Sequence, residues 1–147
     1  MRDADVIALV AAANAGDRLA QRQLVDAFRC DERLAAYGTL APGECNHGEL
    51  AGCPGTWTPG AVRGRRTVRS FPVFTYDPTA PFVPVMVLHS PELARTWPRI
   101  DDFEGPDYRR IVVPVFQAGL LTAVAQLYAA RVPVPAAPSK EPPSYGL

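Results

Sequence analysis

Near Arg33 the spacing of apolar residues along this 147-residue chain changes from a helical period to an extended one. That change limits the fold more than any other feature. Amphipathic helical stripes followed by short, turn-separated apolar runs imply helices packed on a sheet, an α+β arrangement. Before the change, Val6, Leu9, Val10 and Ala13 sit at i, i+3, i+4 and i+7, one face of a helix. Asp3 or Asp5 is placed to cap its start, Gly16 to close it, and Asp17 to cap a second helix buried through Leu24, Val25 and Phe28. Residues 1–30 therefore predict a helical hairpin. Its stripes offer a face either to the main domain or to a second copy in a homodimer.

After Arg33, residues 34–37 read as a buried strand running into the tight turn Gly38-Thr39-Leu40. Residues 41–60 are rich in turn formers, with a short helix or irregular turn around 46–50. Residues 62–68 alternate with Arg63, Arg65 and Arg69, as a half-exposed strand does. Segments 71–76 and 83–88 are further strands, with Pro72 and Pro84 marking starts, edges or bulges, because proline donates nothing to a ladder. Ser90-Pro91-Glu92 starts a helix with an apolar face of Leu93, Trp97 and Ile100. Pro98 is expected to kink or end it early, leaving 101–106 as an exit loop. Residues 111–116 and 122–130 form a hairpin around Gln117-Ala118-Gly119. The expected division is a hairpin at 1–30, a main domain at 31–133 and a Pro-rich, mobile tail at 134–147.

Charge and composition exclude several functions. Fifteen basic residues balance fifteen acidic ones, so the basic excess of a nucleic-acid binder is missing. Apolar runs fall short of the roughly 20 residues a membrane helix needs. The first residues lack the layout of a secretory signal, which points to a cytoplasmic protein. Three cysteines, Cys30, Cys45 and Cys53, are an odd number and fit a reducing compartment. Cys45-x-His47 with Cys53 lacks the paired spacing and fourth ligand of a zinc site, so no metal is expected. Arg63, Arg65, Arg66 and Arg69 read first as a solvated strand face, with an anionic-substrate rim as the alternative.

Two motifs far apart in sequence carry the chemistry. The first is Tyr37-Gly38-Thr39-Leu40. The second is Asp101-Asp102-Phe103-Glu104-Gly105, followed by Tyr108-Arg109-Arg110. In this order they resemble the gamma-glutamylcyclotransferase superfamily, which has a Tyr-Gly-Ser/Thr-Leu loop after its first strand and an Asp-x-x-Glu-Gly element leading to Tyr-x-Arg. The wording of the second motif is similar to the gamma-glutamylamine cyclotransferase branch. Asn46-His47, Gly64 and Pro72 also match positions common in bacterial members. The resemblance spans roughly residues 33–132. It implies a small mixed barrel-like sheet with flanking helices. It also implies intramolecular aminolysis of a small gamma-glutamyl amine or dipeptide to 5-oxoproline, with no cofactor.

The residues suit that reaction. An alpha-ammonium must lose a proton before its nitrogen attacks, and a partly buried carboxylate with a raised pKa can take it. Glu104, between Phe103 and Gly105, is the candidate base and then acid. Gly38 allows close backbone approach, and the N–H groups of Gly38, Thr39 and Leu40 can form a concave nest for a carboxylate or oxyanion. Tyr37, Tyr108 and Tyr128 are candidate lining residues. A binding module without turnover and a protein-interaction domain are the alternatives.

Overall fold

The computed structural model describes residues 1–44, 46–68, 70 and 72–132. Cys45, Arg69, Phe71 and the tail expected to be mobile lie outside the described residues. Strands β1 (Arg33–Ala36), β2 (Thr56–Val68), β3 (Pro72–Tyr76), β4 (Phe82–His89), β5 (Tyr108–Gln117) and β6 (Leu120–Ala130) form one sheet in the order β3-β2-β4-β1-β6-β5. Pairing of β2 with β5 at Ala61 and Phe116 curls the sheet into a barrel. β1 runs parallel to β6 and antiparallel to β4, so the sheet is mixed.

Alternation along the strands sorts side chains into layers. On β5, Ile111, Val113 and Val115 point into the barrel, and on β6 Ala125, Leu127 and Ala129 meet them. Between these, Val112 and Val124 point outward onto α1 (Asp3–Asn14) and α2 (Arg18–Phe28), burying Val6, Val10, Ala13 and Leu24. The helical hairpin therefore covers the main domain of its own chain. Elsewhere outward residues such as Leu34, Leu88 and Tyr128 pack on α3 (Leu93–Glu104). Among the described residues no helix is long and apolar enough to cross a membrane.

Asn14 closes the seam between hairpin and barrel. Its side-chain amide donates to the Val112 carbonyl, and its amide oxygen accepts from the Val112 N–H, each at 2.9 Å. Those two backbone groups lie on the side of β5 away from β6, where β2 does not reach. Asn14→Ala strands both, and part-buried unpaired groups cost about 1–3 kcal/mol. A thermal melt is expected to show a fall of several degrees; an unchanged midpoint would mean that water replaces the amide.

Several local expectations are corrected. Arg2 is the cap residue of α1, and Asp5 reaches back to accept from its N–H at 3.3 Å. Asp17 does cap α2, accepting from the Ala20 N–H at 3.1 Å. Strand β2 begins at Thr56, inside the stretch read as turns. Pro59 and Gly60 lie within the strand because eight consecutive pairings with β4 override their local preference. Helix α3 passes Pro98 and continues to Glu104, so Asp101–Glu104 is helix, not loop. Pro98 is exposed, and so is Ala94, whose carbonyl loses its partner to the proline and is left to water. The apolar face of Leu93, Trp97 and Ile100 keeps the helix on the barrel regardless.

Candidate active site

At the end of β1 the chain turns over the barrel rim. Tyr37 points inward, its ring 5.5 Å from Phe74 and its hydroxyl donating to the Tyr128 carbonyl. The next three carbonyls are all occupied. Gly38 O accepts from the Ala41 N–H at 3.1 Å and Thr39 O from the Asn46 N–H at 2.9 Å. Leu40 O lies 3.0 Å from His47 Nδ1, which must therefore carry the proton. Asn46 also donates its side-chain amide to Thr39 Oγ1 at 3.0 Å. Among the described residues, nothing accepts from the N–H groups of Gly38, Thr39 and Leu40. The turn is pinned by its carbonyls and open at its amides, a geometry suited to an anion.

Gly38 does not owe its identity to the fold. Its φ lies outside the left-handed region, and an added Cβ would meet Pro72 at an ordinary 3.6 Å. Gly105 is different: its φ of 84° ends α3 in a conformation that favours glycine.

Glu104 lies four residues after Ile100 and seven after Trp97, on the face of α3 that meets the barrel. It borders a hollow of about 50 Å³ that is also lined by Tyr37, Gly38, Thr39, Leu40, Tyr108 and Tyr128. All seven residues singled out in the sequence thus meet at one place, together with Pro72 and the last residues of β1. Pro72 supplies a carbonyl that accepts from the Tyr108 hydroxyl at 3.0 Å.

The hollow shifts proton affinities in one direction. Burial alone raises the Glu104 carboxyl to about 7. Burial, then the charges of Glu104 and Asp107, pushes Tyr108 up to about 12. Tyr37 and Tyr128 are raised further, again chiefly by burial, so all three phenols remain neutral near neutral pH.

Asp101 and Arg110, motif residues to which the sequence alone assigns no role, hold this wall in place. Tyr128 donates its hydroxyl to Asp101 Oδ1 at 2.6 Å. Arg110 grips the same carboxylate with two nitrogens, at 2.9 and 3.3 Å, and its guanidinium lies 4.6 Å over the Trp97 ring. This bidentate pair fastens α3 to β5 one turn before Glu104. Asp101 and Arg110 both stand in the second motif; the missing signal was that 101–104 is helical, which places Asp101 and Glu104 three apart on neighbouring positions of one face.

A family model described as gamma-glutamyl cyclotransferase, AIG2-like, matches residues 34–145. The chain belongs to this family. Solved cyclotransferase-like folds agree with the architecture. An uncharacterized protein from Pyrococcus horikoshii is 25% identical, with 69% of this chain and 80% of that one covered at a TM-score of 0.53. An AIG2-like protein from Mus musculus is 18% identical, with 79% and 92% covered at 0.54. YkqA from Bacillus subtilis is 21% identical over 69% of this chain and 36% of that one, at 0.56. No curated protein matches the sequence. The family model starts at Leu34 and so leaves out the helical hairpin.

Proposed function

We propose that this cyclotransferase-family chain converts a small gamma-glutamyl amide to 5-oxoproline and a free amine, with Glu104 moving the protons. One observation carries the reading. A carboxyl group brought near neutrality by burial borders the same hollow as a turn whose three amides are open. The first group is what an ammonium nucleophile needs, and the second is what a carboxylate or a developing oxyanion needs. A glycine at 38 that the fold does not require agrees with close ligand approach at that point.

In the proposed sequence, the alpha-ammonium gives one proton to Glu104. The freed amine attacks the gamma-carbonyl, forming the ring C–N bond, and the oxygen takes up negative charge. Glu104 returns its proton to the leaving nitrogen as the old C–N bond breaks. The ring nitrogen sheds its second proton to Glu104, and the departing amine finally carries it away. Amide N–H groups of Gly38, Thr39 and Leu40 hold the anionic oxygens, while Tyr37, Tyr108 and Tyr128 shape the wall. The acyl group passes from one nitrogen to the other with no change of oxidation state, so the step draws on no cofactor. Cys30 and Cys53 are free, buried thiols, which supports a reducing, cytoplasmic setting.

The test is a panel of gamma-glutamyl amines and dipeptides assayed for cyclised product. Release of 5-oxoproline is expected from at least one class. Ligand-induced thermal stabilisation without any release would instead mark a binding module.

A further inference from the structure

The outer face of the β5–β6 pair is covered from two sides. The helical hairpin takes Val112 and Val124, and α3 takes Tyr128. Between the two covers lies a cleft of about 310 Å³ whose floor is Arg110, Val112 and Gln126. Ala13 and Val25 give it an apolar wall. That wall belongs to the hairpin, a part of the chain that the family model does not match. The polar groups around the cleft keep unused donors. Arg110 gives Nε and Nη2 to Asp101, and Nη1 to the Gln126 amide oxygen at 3.0 Å. An arginine only donates, so this contact fixes the Gln126 amide: its oxygen faces Arg110, and its Nε2 has no acceptor among the described residues. Arg109, exposed at the rim, donates one nitrogen to the Asn14 carbonyl, and among the described residues no carboxylate pairs with it. None of the described residues lining the cleft is acidic. Cys30 also lines it, but burial, then the charge of Asp31, raises its thiol to about 11, so it stays neutral near neutral pH.

We propose that this cleft is a second ligand site, which takes a small aliphatic carboxylic acid. A guanidinium without a carboxylate partner and an amide N–H without an acceptor together suit one carboxylate group, and bonds of this charge-assisted kind are among the stronger a site can offer. A single uncompensated positive charge matches a monoanion. Ala13, Val25 and Val112 leave the remaining space to a short hydrocarbon chain. The site does not depend on the reaction proposed at Glu104.

Isovalerate and isovaleramide share a shape and differ in charge. Each is titrated into isotopically labelled protein while NMR follows the Gln126 side-chain amide and the Val112 N–H. Isovalerate is expected to shift both resonances saturably, and isovaleramide to bind at least about tenfold more weakly. Arg109→Gln should weaken isovalerate by a similar factor. Gln126→Glu keeps an acceptor for Arg110 but sets a negative charge against the ligand, and should abolish the shift at Val112. If either variant folds poorly, the comparison of the two compounds on the unaltered protein still decides. The inference is overturned by the lack of a saturable shift up to about 10 mM isovalerate. Equal affinity for the uncharged amide overturns it too, as does isovalerate binding that neither folded variant weakens. So do shifts confined to the backbone amides of Gly38, Thr39 and Leu40, since the acid would then occupy the turn beside Glu104.

Discussion

Glu104→Gln is expected to lower 5-oxoproline release by roughly a thousandfold with little change in KM, the usual scale for losing a positioned general base. The substitution keeps the size of the side chain and removes only its ability to exchange a proton. In the unaltered protein the base must be ionised, so kcat/KM should rise with pH and level off above about 7, where burial has placed the Glu104 carboxyl. The same shift has a thermodynamic sign. A carboxyl whose folded pKa exceeds its unfolded value of 4.5 contributes nothing while it is protonated in both states. As pH rises from 4.5 toward 7 the folded state still holds a proton that the unfolded chain has released, and stability is progressively lost. Glu104→Gln abolishes that penalty. Allowing for partial solvent access, the variant should be more stable at pH 8 by about 2 kcal/mol, with the advantage vanishing below about pH 4.5. Chemical denaturation at both pH values checks it. A variant that is inactive and also less stable at pH 8 would assign Glu104 a structural role instead.

Phe74→Ala is expected to have the largest effect on folding. Phe74 is fully buried in the barrel, packed over Gly64 on one side and against Tyr37 on the other. The fit over Gly64 is close: an added Cβ there would come within 2.2 Å of the Phe74 ring and 2.6 Å of the Thr75 carbonyl. Emptying such a site costs about 3–5 kcal/mol, a drop of roughly ten degrees or more in melting temperature for a chain of this size. The site suffers with it, because Tyr37 loses the ring that holds it beside the turn. Phe74→Leu should recover much of the stability but less of the ligand affinity. A loss below about 1 kcal/mol for Phe74→Ala would show that the barrel end collapses around the gap.

These outcomes show which parts of the protein were legible in its sequence. The helical hairpin was, because Val6, Val10 and Ala13 repeat at the helical period and nothing local opposes them. The hairpin of β5 and β6 was legible too: Ala118 and Gly119 both take positive φ, the twist a two-residue turn requires. The first half of β2 was hidden, since Pro59 and Gly60 speak for a turn and only the distant strand β4 makes them a strand. The end of α3 was hidden for a related reason. Pro98 is a helix breaker by local rules, but it sits on the solvent side, where a lost hydrogen bond costs little. The helical continuation is what half-buries Glu104: spacing from Trp97 and Ile100 carries it onto the barrel, and a loop would not. The seven candidate site residues came from two motifs and a family resemblance, and the fold gathers them around one hollow.

The proposed chemistry requires Glu104 to be a carboxyl group held near neutrality at that hollow. Its titration can be followed directly by carbon-detected NMR on protein labelled at the glutamate carboxyl, with the resonance assigned by its absence in Glu104→Gln. A midpoint near 7 is expected; a midpoint near the ordinary glutamate value of about 4.3 would leave the reaction without its base.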